Sequence, residues 1–265
     1  MPSTFLGLNT SYRGLVASNS GLNTTANNIS NIETAGYSRQ KANQVASSAI
    51  RTYTTYGCIG TGVDTLAAER VRDVFYDIKY WNNNSKLGEY DKKQYYAAIV
   101  ESYLNDTKGT NAVKGFTSIF DEYEAAMESL GTNTGDSSYA LDFIGKAGNL
   151  CEYFNLLYNN FKSMQTDVND EIKIKVDEIN GIAQEIATLN KEINTIEMDG
   201  VSVANELRDK RDLLVDELSA IVDVSVEEKD IIDARTGEAS GVTSFSVKIA
   251  GGQTLVDCYD YRVLK

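Results

Sequence analysis

Ile172, Ile179, Ile186 and Ile193 stand seven residues apart, and Val168, Ile182, Leu189 and Ile196 fill the complementary positions, with a lapse at Lys175. A seven-residue apolar period puts one narrow seam along a helix, the pattern of a coiled-coil strand. The stretch before it, residues 138–165, is amphipathic through Leu141, Ile144, Leu150, Phe154, Leu157, Phe161 and Met164. No helix breaker falls between these residues and Asp199-Gly200. A single helix over 161–198 would be roughly 57 Å long at 1.5 Å per residue. The period therefore predicts a mainly α protein, an elongated bundle of long heptad-patterned helices.

A second seam lies near the N-terminus. Phe5, Leu8, Tyr12, Leu15, Leu22, Ala26 and Ile29 alternate in steps of three and four, interrupted at an inward position by Asn19. The other faces carry Asn, Ser, Thr and Gly, which are poor helix formers. A helix of this kind has little to bury alone and needs a partner. Residues 1–65 carry a net charge of +2, against −15 for the remainder of a chain whose total is −13. A nearly neutral, amide-rich surface repels copies of itself weakly. It suits packing against like chains, although periodicity alone fits an unpacked tail equally well.

Between and beyond the seams the signals are local. Residues 41–65, rich in β-branched residues and Tyr with Gly57, Gly60 and Gly62, read as an extended or hairpin-containing connector. A helical pattern is expected from Leu66, with Gly88 as a possible interruption, and another over 112–130 through Val113, Phe116, Ile119, Phe120, Tyr123 and Met127. Gly131 reads as its left-handed end and Asp136 as the cap of the next helix. Ser202 is placed to cap a helix running to Val222. Phe245, Val247 and Ile249 alternate with polar residues before Gly251-Gly252, and QTLVDCY follows. This predicts a small C-terminal β-hairpin on a two-residue turn.

Composition excludes several functions. A net charge of −13 and a pI near 4.5 argue against nucleic acid, whose phosphates need a basic face, and against an anionic membrane. No apolar run reaches the ~20 residues of a membrane span. Residues 1–20 show no basic leader or apolar core, so no cleaved signal peptide is expected. Histidine is absent, which removes Ser-His-Asp, Cys-His and His-ligated metal chemistry. Cys58, Cys151 and Cys258 are isolated and offer no zinc-site spacing. No nucleotide-binding glycine motif occurs, so no cofactor or metal is expected.

The acidic clusters Asp121-Glu122-x-Glu124 and Glu227-Glu228-x-Asp230 fall on the polar sides of their patterns and read as solvated faces. In residues 205–214, Glu206 lies four before Lys210 and Arg208 four before Asp212. That spacing reads as surface ion pairs worth a few tenths of a kcal/mol each. Nothing proposes a catalytic residue. The sixteen tyrosines suit core edges or subunit interfaces.

Residues 22–40, LNTTANNISNIETAGYSRQ, closely resemble the N-terminal signature of the flagellar axial proteins, the rod, hook and hook-associated family. The resemblance rests on Asn27, Asn28, Ile29 and Asn31, then Thr34, Gly36 and Tyr37. The ending Tyr37-Ser38-Arg39-Gln40 is more similar to the hook-associated protein 1 branch than to hook or rod proteins. So are Gly60-x-Gly62-Val63 with Arg70-x-x-Asp73-x-Phe75, and Ile144-Gly145-Lys146-Ala147. The helical-domain motif Asn205-x-Leu207-x-Asp209-x-Arg211-Asp212-x-Leu214, with Asp216-Glu217-Leu218-Ser219, agrees, as does Thr254-Leu255-Val256.

The resemblance implies a structural subunit of the bacterial flagellum, an extracellular adaptor at the hook–filament junction. It implies assembly through terminal helices and export through the type III apparatus without a cleaved signal. The implied partners are copies of itself, the hook protein and the second junction protein. The chain ends where the family continues, so the C-terminal partner helix and the region understood to bind the export chaperone are expected to be missing. The expected organisation is an axial helix with connector over 1–66, a long-helix bundle over 67–222 and a hairpin segment over 223–265. Alternatives from the same residues are a hook or distal rod protein, and, remotely, a cell-wall hydrolase.

Overall fold

The computed structural model describes residues 5–51, 57–104, 106, 114–200, 202–232, 237 and 239–265. The protein is mainly α, with two compact units: residues 1–87 with 177–265, and residues 88–176.

The first unit opens with α1 (Leu6–Ser30), followed by β1 (Gln40–Ala46), β2 (Ile50–Arg51), β3 (Cys58–Ile59) and β4 (Val63–Arg70). Strands β1 and β4 pair antiparallel, from Gln40 opposite Arg70 to Ala46 opposite Val63, and α1 packs across them. The connector is thus a hairpin-like pair, as its residues suggested. Residues 66–70, expected to begin a helix, instead complete β4. Cross-strand pairing overrides the local pattern there.

Helix α2 (Val74–Tyr103) starts only after Asp73, whose carboxylate accepts the Phe75 amide at 3.0 Å. It runs through Gly88 without a break.

Helix α4 (Ser137–Glu197) is one continuous element of 61 residues, starting well before the heptads. It contributes Ile179, Ile182, Ala183, Ile186 and Ile193 to the interior of the first unit. Packed with it are Val215 and Leu218 of α5 (Asn205–Ile221), Trp81 of α2 and a sheet. That sheet is an antiparallel meander in the order β5 (Val224–Ile232), β6 (Ala239–Ile249), β7 (Gln253–Asp257) and β8 (Asp260–Tyr261). The expected hairpin is its β6–β7 pair. Its turn has three residues, Ala250, Gly251 and Gly252, all with positive φ, between the paired Ile249 and Gln253.

Phe245, Val247 and Ile249 turn inward from β6, with Leu255 and Val256 from β7. The alternation thus faces the helices. Asn190 and Asn194 reach from α4 to the carbonyls of Cys258 and Thr243 at 2.7 and 2.9 Å. Gly241 is needed in β6, because its φ is +78° and an added Cβ would lie 2.8 Å from the Glu197 carbonyl.

The second unit comprises the rest of α2, α3 (Phe116–Thr132) and the first part of α4. The predicted 112–130 helix is present, although Ala112 and Val113 lie outside the described residues. Gly131 does not end it. The helix continues to Thr132, and the Asn133 amide then bonds to the Ser129 carbonyl. Asp106 starts α3 by accepting the Gly115 and Ser118 amides, which holds its carboxyl down at about 2, chiefly through the Ser118 hydroxyl and amide. Asp136 caps α4 through the Ser138 amide at 2.8 Å, as its position suggested. Phe116, Phe120, Tyr123, Phe143 and Phe154 form a chain of ring contacts between α3 and α4. The Glu122 carboxylate takes Lys114 and Lys146 on the surface.

A candidate assembly helix and the charged joint behind it

Helix α1 carries its apolar seam outward. Phe5, Leu8, Tyr12, Leu15, Leu22 and Ile29 are 64–71 % exposed, and Ala26 is exposed as well. The face against β1 and β4 is the small and polar one. There Ala17 is buried and Thr10, Ser20, Thr24 and Asn28 are half-buried. Polar bonds fasten this face. The Gln44 amide donates to the Ala17 carbonyl at 2.9 Å, and Arg13 donates to Ser47 at 2.6 Å and Asp64 at 3.1 Å. Small residues permit close approach here. The larger apolar side chains lie on the exposed face, and a contiguous exposed apolar face is a common mark of an interaction site.

The Asn-rich residues after the seam build a turn. Asn28 accepts the Gln40 amide at 2.8 Å and donates to the Gln40 carbonyl at 2.9 Å, pairing with the backbone as a neighbouring strand would. Its Oδ1 also accepts the Tyr37 hydroxyl at 2.9 Å. Asn31 donates to the Asn27 carbonyl and side chain, and Thr34 donates to Asn31. The Arg39 side chain is exposed, and its carbonyl accepts the Val71 amide at 2.8 Å. Gly36 has φ +76°, and a Cβ there would lie 3.1 Å from the Leu213 Cβ. Only a residue without a side chain fits both the backbone and the space.

Leu213 belongs to α5, so the two motifs separated by about 170 residues meet. The Ser38 amide donates to the Asp209 carboxylate at 3.0 Å, and the Gln40 side chain reaches Glu206 at 3.4 Å. Arg70, at the end of β4, bridges Asp209 at 2.9 Å and Asp212 at 2.6 Å. Arg72 joins Asp77 and Asp212 and touches the Ser38 hydroxyl. Asn205 donates to the Ala68 carbonyl at 2.7 Å. Burial pushes the Tyr37 phenol upward, with the Asp209 and Glu206 carboxylates adding to the shift.

The charged run of α5 is therefore not a surface lattice of i,i+4 pairs. Asn205, Asp209, Arg211 and Asp212 are buried. Arg208 turns away from Asp212 toward Glu197 at 2.6 Å and Glu228 at 3.0 Å. Arg211 is 1 % exposed, with its guanidinium 3.6 Å from the Phe245 ring centre and bonds to Asn190 and Glu228. Leu207 is half-buried and Leu214 packs on the core. Burial favours the neutral form of Arg211 and lowers its pKa despite Glu228 and Asp212. Burial alone would raise Glu228 and Glu197, but the arginines hold both below the ordinary carboxylate value. Glu228 is exposed, as its cluster suggested, and from there it pairs with both arginines.

One α5 carboxylate runs the other way. Asp216 is raised by burial, although it accepts the Trp81 indole N–H at 2.6 Å. Asn84 bonds to the Asp216 carbonyl and Ser219.

Ser202 does not cap α5. It bonds to Asp199, and Glu197 instead accepts the Ala204 amide at 2.9 Å. Sequence reasoning missed Glu197, Asn190, Trp81 and Asn84. Of these, Asn190 lies between Ile186 and Ile193 on an apolar helix face, a local signal that could have flagged it.

The fold and this surface define a mainly helical protein that displays an apolar N-terminal helix and holds it by a buried charged joint. The family model for the flagellar hook-associated protein FlgK helical domain matches residues 98–265. Flagellar hook-associated protein 1 of Bacillus subtilis (strain 168) is 32 % identical over 271 residues, which is 99 % of this chain and 52 % of that protein. The Escherichia coli (strain K12) protein of the same name is 29 % identical over 84 % of this chain and 40 % of its own length. The solved flagellar hook junction protein FlgK from Burkholderia pseudomallei has the same fold over 70 % of this chain and 29 % of its own, with a TM-score of 0.54 and 22 % identity. The chain belongs to the FlgK family of flagellar hook-associated proteins, and it spans about half the length of the curated relatives it matches.

Proposed function

We propose that this chain is a structural, non-enzymatic subunit of the bacterial flagellum, an adaptor at the hook–filament junction that assembles through α1. The observation that carries this reading is the outward seam of Leu8, Tyr12, Leu15, Leu22 and Ile29, presented by a helix whose other face is already used. Family membership supports the location and the partners: copies of itself, the hook protein and the second junction protein, outside the cell after type III export. No described helix is long and apolar enough to cross a membrane. Among the described residues no cluster of metal-ligating side chains occurs. The 27–40 turn acts as the bend from assembly helix to body, and the 205–214 segment as its seat. The proposed organisation is an axial segment, a helical body to residue 222 and a sheet segment over 223–265, with the expected first boundary at 66 moved to the end of β4 at Arg70.

The test is Leu22→Glu in cells carrying the full-length protein. Incorporation into hook–filament junctions is expected to stop, while the purified chain keeps its helical circular dichroism. Normal junctions in that strain would remove α1 as the assembly element.

A further inference from the structure

The part of the first unit formed by α1 and β1–β4 is fastened to the rest by a set of ion pairs and hydrogen bonds. Among the described residues, the apolar core begins at Trp81 and takes nothing from residues 5–71. What bridges the two parts is the Arg70 pair with Asp209 and Asp212, the Arg72 contacts to Ser38 and Asp212, and three hydrogen bonds. Those bonds are Ser38 amide to Asp209, Gln40 to Glu206 and Asn205 to the Ala68 carbonyl. Gly36 approaches Leu213 beside these contacts.

By contrast, α1 is fastened to β1 and β4 by its own set of bonds, through Asn28, Arg13 and Gln44. It therefore moves with the strands as one arm. An apolar core resists separation in proportion to buried area. A joint of ion pairs is held by a few specific charges, so removing one of them removes much of what holds it.

We propose that Arg70, Asp209 and Asp212 form an electrostatic clasp that sets the pose of the α1 arm and can open while both the arm and the core stay folded. Closing the clasp aims the seam in one direction; opening it lets the same seam swing. This device concerns how the arm is held and stands apart from what the seam docks on.

Spin labels at Ser18→Cys on α1 and Lys229→Cys on β5, with Cys58, Cys151 and Cys258 replaced by Ser, report the distance between arm and core. One narrow distance distribution is expected at low salt. Arg70→Gln removes charge-assisted bonds whose loss shifts an equilibrium roughly tenfold or more, so a second, broader population is expected to appear. The double variant Asp209→Asn with Asp212→Asn, which removes the charges on the other side of the same contacts, should do the same. In both cases the core should keep its thermal midpoint. A distribution unchanged in both variants would show a rigid joint. Broadening that appears only as the core melts would show that the joint is simply part of the core. Either result overturns the proposal.

Discussion

Helices α1 and α5 reverse the usual arrangement in opposite senses. Helix α1 turns leucines to solvent and packs a face of Ala, Ser, Thr and Asn. Helix α5 buries Asp209, Arg211 and Asp212 along with Val215 and Leu218. On α5 the charges are tolerated because every one has a counter-charge brought from elsewhere, and a buried charge without one would cost several kcal/mol. On α1 the apolar seam is tolerated because the small face suffices to hold the helix on β1 and β4. The pair teaches that which residues an element buries depends on what the rest of the chain brings to it.

The sharpest way to break this contrast is to truncate a charge inside and an apolar side chain outside. Arg211→Ala removes the guanidinium bond to Asn190 and opens space over Phe245 while Glu228 keeps Arg208, so unfolding in urea should show a loss of about 2–5 kcal/mol. Arg211→Met, which refills the volume, should lose clearly less. If the alanine variant were as stable as the parent, the joint would not be an energetic centre of the fold.

Trp81→Phe keeps the ring in the core but removes the indole bond to Asp216. A loss of about 1–3 kcal/mol is expected, read from the same urea curves. Gly36→Ala forces a side chain into positive φ against Leu213, and a thermal scan should show about 1–2 kcal/mol lost.

The pH dependence sharpens the contrast by sign. Glu197 and Glu228 have folded-state pKa values below their ordinary value. Their contribution is fully present above the unfolded carboxylate value of about 4.3 and is lost as pH falls through the folded value. Asp216 is raised, so its contribution is present at acid pH and is lost as pH rises through its folded value. The two glutamates outnumber it, and the urea midpoint should fall between about pH 5 and pH 3. A flat midpoint over that range would deny the buried pairing. Outside, Leu15→Ser on the α1 seam should change stability by no more than about 0.5 kcal/mol. A larger loss would mean that the seam already has a partner within the chain.

Much of the helical fold was legible because helix period is a local property. The α1 seam was placed within a residue of its observed span, and the isoleucine heptads lie within α4. Where reading failed, a distant partner had intervened. Residues 66–70 became strand because 40–46 lay beside them, and Gly131 stayed helical because nothing forced it left-handed. The 205–214 charges looked like solvated pairs because their true partners, Glu197, Glu228, Arg70 and Arg72, are not at helical spacing from them.

The sequence alone determined the helical class, the seam from Phe5 to Ile29 and, through residues 27–40 and 205–214, the resemblance to flagellar axial proteins. All of these are written in short-range spacing and in residue types. Only the tertiary structure decided that the two motifs touch, that Gly36 sits on Leu213, and that Ser38 and Arg70 share Asp209. It also decided that the seam faces out. The physical reason is that burial and charge pairing are properties of neighbours in space, and a chain's periodicity carries no record of which neighbours folding will supply.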